Sequence, residues 1–251
     1  VIVSAVRSAV ARGKKDGSLA TVHPIDLSAT VMRAAVDRVQ LDPKLIDDVL
    51  WGCAMPESSQ GLNIARLSVL RAGFPVDVSA ATINRFCSSG LQTVAMAAQA
   101  IMSGMNDVVL AGGVEMMSAV PMSGFVTRLH PDMTEQNIGM GFTAERVAKR
   151  WGIKREQQDA YALGSQQKAV AAVARGAFAD QIVPVPVQKI SWKGSAKTVT
   201  ESSFVTDEVV RAATTLEGLA KRPPGFVPQG HGTDANARPM ADGRAAQLAR
   251  S

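Results

Sequence analysis

Short apolar runs alternate with helical patterns along the first half of the chain, and this alternation constrains the fold more than any other feature. The residues predict strands at 1–5, 48–51, 79–83 and 107–112, and helices at 26–39, 63–71 and 90–103. The pair Gly112 and Gly113 is expected to close the last of these strands. Strands separated by helices favour an α/β layer architecture with a mixed, mostly parallel sheet.

The predicted helix at 90–103 is apolar on nearly every face. The apolar side chains around its circumference are Leu91, Val94, Met96, Ala97, Ala100 and Ile101. A helix of this composition is typically buried on all sides. We therefore expect a central, buried helix with little water around its first residues.

Cys87 lies between the predicted strand 79–83 and that helix. A thiol at a helix N-terminus faces the positive end of the helix dipole and backbone N–H groups, which favours the thiolate. A thiolate held in this way is a nucleophile for acyl groups. The alternative is a buried structural cysteine, because free cysteines are among the most buried residues. Cys53, which follows the predicted strand 48–51, is expected to pack in the core.

The composition indicates a folded globular protein, with 46% hydrophobic and 20% charged residues. Two cysteines give no disulfide framework and indicate a reducing compartment, so we expect a cytoplasmic location, with an organelle as the alternative. No apolar run approaches the roughly 18–20 residues of a membrane span. The sequence has no Cys-x-x-Cys and no histidine pair at ligand spacing, so no metal site is expected.

The net charge of +5 is spread along the chain, with no block of like charge and no interleaved aromatic residues. This distribution argues against nucleic acid as a partner. A mildly positive surface suits anionic small molecules such as phosphorylated cofactors.

Three regions are expected from the shifts in composition. Residues 1–119 form an α/β core, residues 120–226 an inserted loop domain folded over it as a lid, and residues 227–251 a linker and the final strand. The insertion is expected to contain helices at 142–151 and 156–174. Pro184 and Pro186 confine the extended piece 182–190 to a sheet edge.

An ordered set of motifs runs along the chain. The set consists of VIVSAVR at 1–7, NRFCSSGLQ at 84–92, AGGVEMMS at 111–118, MGFTAE at 140–145, the spaced residues Asp207, Glu208, Arg211, Thr214, Thr215, Leu216, Glu217, Leu219 and Ala220, and a degraded Asn236, Pro239, Met240, Asp242 and Gly243. In this order the motifs resemble the thiolase family over nearly the whole chain. Residues 84–87 are most similar to its degradative, 3-ketoacyl-CoA branch. Only the N-terminal half of the family is matched.

The resemblance implies an acyltransferase of fatty acid β-oxidation. Cys87 would attack the keto carbon of a 3-ketoacyl-CoA, release acetyl-CoA, and pass the acyl group to a second coenzyme A. The backbone N–H of Cys87 would be one donor to the oxyanion. Coenzyme A would be a substrate, and no other cofactor is implied. The family also implies a homo-oligomer, a dimer or a tetramer.

By the same resemblance, the insertion would cover coenzyme A. Met140 would lie near the thioester, and Arg211 would contact the nucleotide end. For Arg211 a surface salt bridge to Glu208 is an equal alternative. Gly139 stands where some relatives have a histidine, which argues against a short-chain, biosynthetic substrate.

Three catalytic features of the family's second half have no counterpart in these 251 residues. They are a histidine in a Gly-His-Pro motif, a second cysteine followed by glycines, and an asparagine that fixes a water. His231, in Gly-His-Gly, is not expected to replace that histidine. The isolated chain is therefore expected to be weakly active or inactive, and whether it belongs to a longer protein stays open.

The closing stretch also departs from the family. Arg238 stands where relatives have a small serine that touches pantetheine, and Asp234 replaces a small apolar residue. Residues 244–250 contain two arginines and a glutamine, which are costly in a central strand. This strand is expected at an exposed edge, or as a divergent end of the family pattern. These departures support a second functional hypothesis, a non-catalytic remnant that binds coenzyme A or a partner.

Overall fold

A computed structural model describes residues 1–120, 130–133, 139–237 and 239–251, so Arg238 lies outside the described residues. The strands are β1 (Ile2–Ser8), β2 (Ala11–Arg12), β3 (Asp48–Gly52), β4 (Ser79–Ile83), β5 (Val108–Met116), β6 (Ile182–Val183), β7 (Val185–Lys193), β8 (Ala196–Phe204) and β9 (Ala241–Arg250). The helices are α1 (Pro24–Asp37), α2 (Ile64–Arg71), α3 (Ser89–Met102), α4 (Met140–Trp151), α5 (Arg155–Ala174) and α6 (Leu216–Ala220).

The main sheet has the strand order β4-β3-β5-β9-β1-β6, and β2 pairs with β9. β3 runs parallel to β4 and β5, and β1 runs parallel to β6. β9 is antiparallel to both β5 and β1. The predicted α/β class with a mixed sheet is confirmed.

Helices cover both faces of this sheet. Alternate strand residues point to opposite faces, so Val49 packs with the buried side chains of α1 and α2, whereas Leu50 packs with Ala97 of α3. The α1 side chains that enter the core are Leu27, Val31, Met32, Ala35 and Val36, at the helical spacing the sequence predicts. His23 caps this helix by accepting the Ile25 N–H at Nδ1, 3.2 Å away.

The final strand β9 is central, so the prediction of an exposed edge is wrong. It pairs along its length with β5 on one side and with β1 on the other. Alternation buries Asp242 and Arg244 together with Ala246 and Leu248 on one face of the strand. Backbone pairing on both sides, and two small or apolar neighbours on the buried face, outweigh the cost of these charges.

Arg244 is only partly satisfied in this position. Its Nη1 donates to the carbonyl of Pro24 at the start of α1, 3.0 Å away. Its Nε and Nη2 have no hydrogen-bond partner among the described residues. Burial lowers the pKa of Arg244 well below its ordinary value, and burial raises the pKa of Asp242. Both directions report a free-energy cost of placing charge here.

Replacing Arg244 by an apolar side chain and its charge partner Asp242 by a neutral amide, in one protein, should relieve this cost without leaving either charge unpaired. We expect the double variant Asp242→Asn/Arg244→Met to raise the free energy of unfolding by about 1–4 kcal/mol, because buried charge pairs are often outperformed by neutral residues of similar volume. Urea denaturation measures the change. Arg250→Met, at the exposed end of the same strand, is the matched control and should change little. A clear loss of stability in the double variant would contradict this account of the strand.

α3 is buried on one side only, so the prediction of burial on all sides is wrong. Ser89, Thr93 and Ala97 are buried, whereas Leu91 is 76% exposed and Met102 is 86% exposed. A helix that lies on a sheet buries the stripe that faces it. Within the described residues no second layer covers the opposite stripe of α3. The apolar composition of 90–103 would allow burial on all sides, but in the described residues only the stripe that faces the sheet is buried.

Two further differences concern strands. β5 does not end at Gly112 and Gly113 but continues to Met116, with both glycines paired to β3 and β9. β6 lies at the sheet edge, as Pro184 predicts. β7 continues into an antiparallel hairpin with β8. β8 is not predicted from the sequence, because its Thr and Ser residues have no apolar alternation.

The chain divides into two compact units. The first unit comprises Val1–Phe125, Ala179–Glu208 and Met240–Ser251, and the second comprises Val126–Phe178 and Val209–Pro239. Within the second, buried Asp159 accepts hydrogen bonds from Arg155 Nε at 2.8 Å and from Asn236 Nδ2 at 2.9 Å. The division into 1–119, 120–226 and 227–251 stays a prediction.

Two carboxylates fasten the end of the β7–β8 segment to β1 and β2 within the first unit. The Arg7 guanidinium donates to both oxygens of Asp207, each at 2.9 Å, and Val10 N–H donates to the same carboxylate at 2.7 Å. Glu208 accepts hydrogen bonds from Ser18 and from Arg12 N–H. Burial opposes ionisation of Asp207, but these donors outweigh it and hold its pKa below the ordinary value.

Arg7→Lys should lose part of this attachment, because an ammonium group cannot reproduce the forked pair of hydrogen bonds. We expect a loss of about 1.5–3 kcal/mol in the free energy of unfolding at pH 7. Since the folded-state pKa of Asp207 is lowered, its contribution is present above the unfolded value of 3.8 and is lost as pH falls through the folded-state pKa. Urea titrations at neutral and acidic pH should therefore show the two proteins converging in acid.

Candidate active site

Cys87 lies in the turn that joins β4 to α3. β4 ends at Ile83, Ser88 is the N-cap, and α3 begins at Ser89. The thiol-bearing residue is exposed. The structure therefore places Cys87 at the predicted strand–helix junction, although not in the dry surroundings that the sequence suggested. Its catalytic role stays a prediction.

The turn contains a strained backbone. Phe86, directly before Cys87, has φ +46° and a side chain that is 67% exposed. A bulky residue in the left-handed region is uncommon, and such conformations cost about 1–3 kcal/mol. An exposed phenyl ring gains little packing in return, so other contacts must hold the turn in this shape.

Two side chains make those contacts. The buried Ser89 hydroxyl accepts the Arg85 N–H at 2.9 Å and donates to the Phe86 carbonyl at 2.6 Å. Asn84 Oδ1 accepts the Phe86 N–H at 2.8 Å, and Asn84 Nδ2 donates to the Ala54 carbonyl at 3.1 Å. The turn is therefore held both to the helix and to the segment after β3.

Hydrogen bonds of Glu115 and Gln60 hold the segment that follows β3. Glu115 on β5 accepts the Ala54 N–H at 2.8 Å and the Gln60 amide at 3.0 Å. Gln60, fully buried, also accepts the Met116 N–H at 2.7 Å. Neither Gln60 nor Glu115 is predicted from the sequence to have a role at this site. The signal available was the carboxylate inside the apolar motif AGGVEMMS.

The first turn of α3 offers uncapped backbone N–H groups beside Cys87. Ser88 makes no side-chain hydrogen bond as N-cap, and the first turn contains no acidic residue. Free N–H groups and the helix dipole together favour negative charge at this end of the helix. The local geometry therefore suits a thiolate or an oxyanion.

Cys53 has the opposite surroundings. It is buried after β3, and burial followed by the charge of Glu115 raises the pKa of its thiol to about 12. A thiol of this kind is protonated at neutral pH and is a poor nucleophile. This agrees with a packing role for Cys53.

The remaining sequence-predicted residues belong to the second unit. Met140 is the first residue of α4 and is exposed. Arg211 is exposed, and its backbone N–H donates to Gln166 Oε1 at 2.8 Å. Both roles considered for Arg211 stay predictions.

His231 is tied to a structural carboxylate in the second unit. The backbone N–H of His231 donates to both oxygens of Glu145, at 2.9 and 3.0 Å. The ring Nδ1 of His231 lies 3.6 Å from Glu145 Oε2. Burial opposes ionisation of Glu145, but the N–H groups of Gly232 and His231 outweigh it and hold its pKa below the ordinary value. These contacts explain His231 as a residue that orders its loop.

In the described ranges, no cluster of three or more His, Cys, Asp or Glu side chains could hold a metal ion. Among the helices of the same ranges, none has the length and apolar character that crossing a bilayer requires.

The fold is a layered α/β structure, and an exposed cysteine precedes the uncapped N-terminus of one of its helices. The chain belongs to the thiolase family, since the family model "Thiolase, N-terminal domain" matches residues 1–251.

Individual relatives agree with this assignment. The chain is 46% identical to the 3-ketoacyl-CoA thiolase of Bacillus subtilis (strain 168), over 99% of this chain and 64% of that protein. It is 41% identical to an acetyl-CoA acetyltransferase of Pseudomonas aeruginosa, over 99% of this chain and 65% of that protein. The crystal structure of the Bacillus anthracis acetyl-CoA acetyltransferase superposes with a TM-score of 0.85 and 35% identity, covering 100% of this chain and 65% of that one. The chain thus spans just under two thirds of the length of these relatives.

Gly52 allows the first turn of α3 to reach the sheet. A Cβ at this position would lie 2.8–2.9 Å from Ser89 and Gly90 atoms, whereas a Cβ at Gly90 would meet nothing within 4 Å. We expect Gly52→Ala to lower the free energy of unfolding by about 1–3 kcal/mol, through overpacking against backbone. Urea denaturation checks this.

Gly90→Ala is the matched control, because Gly90 lies on the α3 side of the same contact. It should raise the free energy of unfolding by about 0.4–1 kcal/mol, because alanine restricts the unfolded chain and fits the helix. Equal effects of the two substitutions would contradict the close contact between β3 and α3.

Proposed function

We propose that this chain carries the nucleophile of a thiolase-type acyl transfer, in which a 3-ketoacyl-CoA and coenzyme A give acetyl-CoA and a shortened acyl-CoA. The observation that carries the proposal is the position of Cys87, exposed in a strained turn before the uncapped N-terminus of α3. Membership of the thiolase family supports the same reading.

In the proposed reaction, a base takes the proton of the Cys87 thiol, and Sγ attacks the keto carbon to form a tetrahedral oxyanion. The Cys87 N–H, next to the helix N-terminus, is suited to donate to that oxygen. Collapse breaks the bond between the keto carbon and the α carbon, so acetyl-CoA leaves as a carbanion that a general acid must protonate. The acyl group stays on sulfur as a thioester, and the thiol of a second coenzyme A removes it after losing its proton to a base.

The groups that move those protons are expected outside these residues. By resemblance they are a histidine in a Gly-His-Pro motif and a cysteine that is followed by glycines, and neither motif occurs in these 251 residues. General acid–base help is worth about 100- to 10,000-fold in rate. We therefore propose that the 251-residue chain accepts an acyl group slowly and turns over negligibly.

The substrate and assembly assignments rest on the family. Met140 near the thioester and Arg211 near the nucleotide end are proposals, and the net charge of +5 favours an anionic carrier such as coenzyme A. A role in fatty acid β-oxidation, a cytoplasmic location and a homo-oligomer, dimer or tetramer, are proposed on the same grounds.

The exposed stripe of α3 favours a second candidate function. Leu91 and Met102 present apolar surface, and such surface commonly marks a protein contact. In this alternative the chain binds coenzyme A or a partner without catalysis.

Acylation of the protein distinguishes the thiolase-type acyl transfer from the non-catalytic binding module. Incubation with acetyl-CoA should transfer one acetyl group to Cys87, releasing coenzyme A, and peptide mass spectrometry should locate the adduct. Cys87→Ala should abolish the adduct, whereas Cys53→Ala should retain it because that thiol is buried and protonated. Retained binding of coenzyme A without any adduct on Cys87 would favour the non-catalytic module.

A further inference from the structure

We propose that Ser89 is a positioning residue for Cys87, and that its hydroxyl fixes the turn which presents the thiol to the N-terminus of α3. This inference rests on the proposed nucleophilic role of Cys87. It assigns a function to a serine that makes no contact with the thiol itself.

The hydroxyl of Ser89 connects both ends of the strained residue. It accepts the N–H of Arg85, before Phe86, at 2.9 Å, and it donates to the carbonyl of Phe86 at 2.6 Å. The Ser89 N–H adds a third contact, donating to the Phe86 carbonyl at 3.0 Å. These bonds define the orientation of the peptide planes on either side of Phe86, and so the direction in which the chain enters Cys87.

Burial makes these bonds unusually restrictive. Ser89 is 4% exposed and packs on Gly52 of β3. Without the hydroxyl, the Arg85 N–H would lose its acceptor in a partly buried place, and buried donors are rarely left unpaired. Phe86 would then have no hydroxyl contact opposing its return from φ +46° to an ordinary conformation.

The adjacent serine has no comparable role. Ser88 occupies the N-cap position, where serine normally accepts a hydrogen bond from the first turn, yet its side chain makes no such bond. Ser88 and Ser89 therefore differ in what their hydroxyl groups bond. One hydroxyl holds the turn, and the other leaves the helix N–H groups free.

Alkylation of Cys87 by iodoacetamide, followed by peptide mass spectrometry of the folded 251-residue chain, measures the consequence. At pH 7, Ser89→Ala should slow the reaction about two- to fivefold, the range expected when a charge leaves a helix N-terminus. At pH 10, where an ordinary thiol is also ionised, the two proteins should react alike. Ser88→Ala should match the wild type at both pH values. Equal rates for Ser89→Ala and the wild type at pH 7, or an equal loss at both pH values, would overturn the assignment.

Substitutions at Phe86 test the same turn from the surface, so they keep the proposal falsifiable if Ser89→Ala fails to fold. Asparagine tolerates the left-handed region and a β-branched valine does not. Phe86→Val should therefore slow alkylation at pH 7 as Ser89→Ala does, and Phe86→Asn should not. In the Phe86→Asn background the Ser89→Ala loss should shrink. An unchanged loss there would show that the hydroxyl does not act through Phe86.

The alkylation rate of Cys87 in the wild-type protein distinguishes a failure of this inference from a failure of the proposed nucleophilic role. If native Cys87 reacts at pH 7 no faster than the same cysteine in an unfolded peptide, the poised nucleophile is refuted whatever Ser89 does. If native Cys87 reacts fast and both serine variants match it, only the positioning role of Ser89 is refuted.

Discussion

The first turn of α3 packs directly on the carboxyl ends of β3 and β5, and the rest of the site depends on this contact. A Cβ at Gly52 would strike Ser89 and Gly90. Thr93 completes the contact by donating from its hydroxyl to the Gly112 carbonyl at 2.9 Å. Because β3, β4 and β5 are parallel, their carboxyl ends meet at one edge of the sheet. The helix start and the cysteine turn are thereby placed at that edge.

A polar network converts this close packing into a defined turn. Glu115 and Gln60 hold the segment after β3, Ala54 in that segment holds Asn84, and Asn84 together with Ser89 holds Phe86 at a positive φ. Connected polar networks restrict a region to one conformation. The strain at Phe86 is thus maintained by one residue on β5, by residues that follow β3 and β4, and by the first residue of α3, and Cys87 is the residue whose placement benefits.

Much of the framework follows from local sequence pattern. The alternation of apolar runs and amphipathic helices predicts β1, β3, β4, α1 and α2 within a few residues, since each such element buries one regular stripe or face. Pattern alone fails where long-range pairing decides. Asp242 and Arg244 argue against a buried strand, yet β9 gains a ladder on both sides. The Ser and Thr residues of β8 carry no apolar alternation, yet they pair with β7.

The sequence by itself determined the α/β class, the junction at Cys87 and the family to which that junction belongs, because these depend on short-range periodicity and on motifs. Only the tertiary structure decided that β9 is central, that α3 buries a single stripe, and that Ser89 rather than Ser88 holds the cysteine turn. These features depend on which surfaces meet, and residues far apart in sequence supply the meeting surfaces. The turn that contains Cys87 is held for the same reason: folding brings Gly52 to Ser89, Ala54 to Asn84 and Glu115 to Ala54.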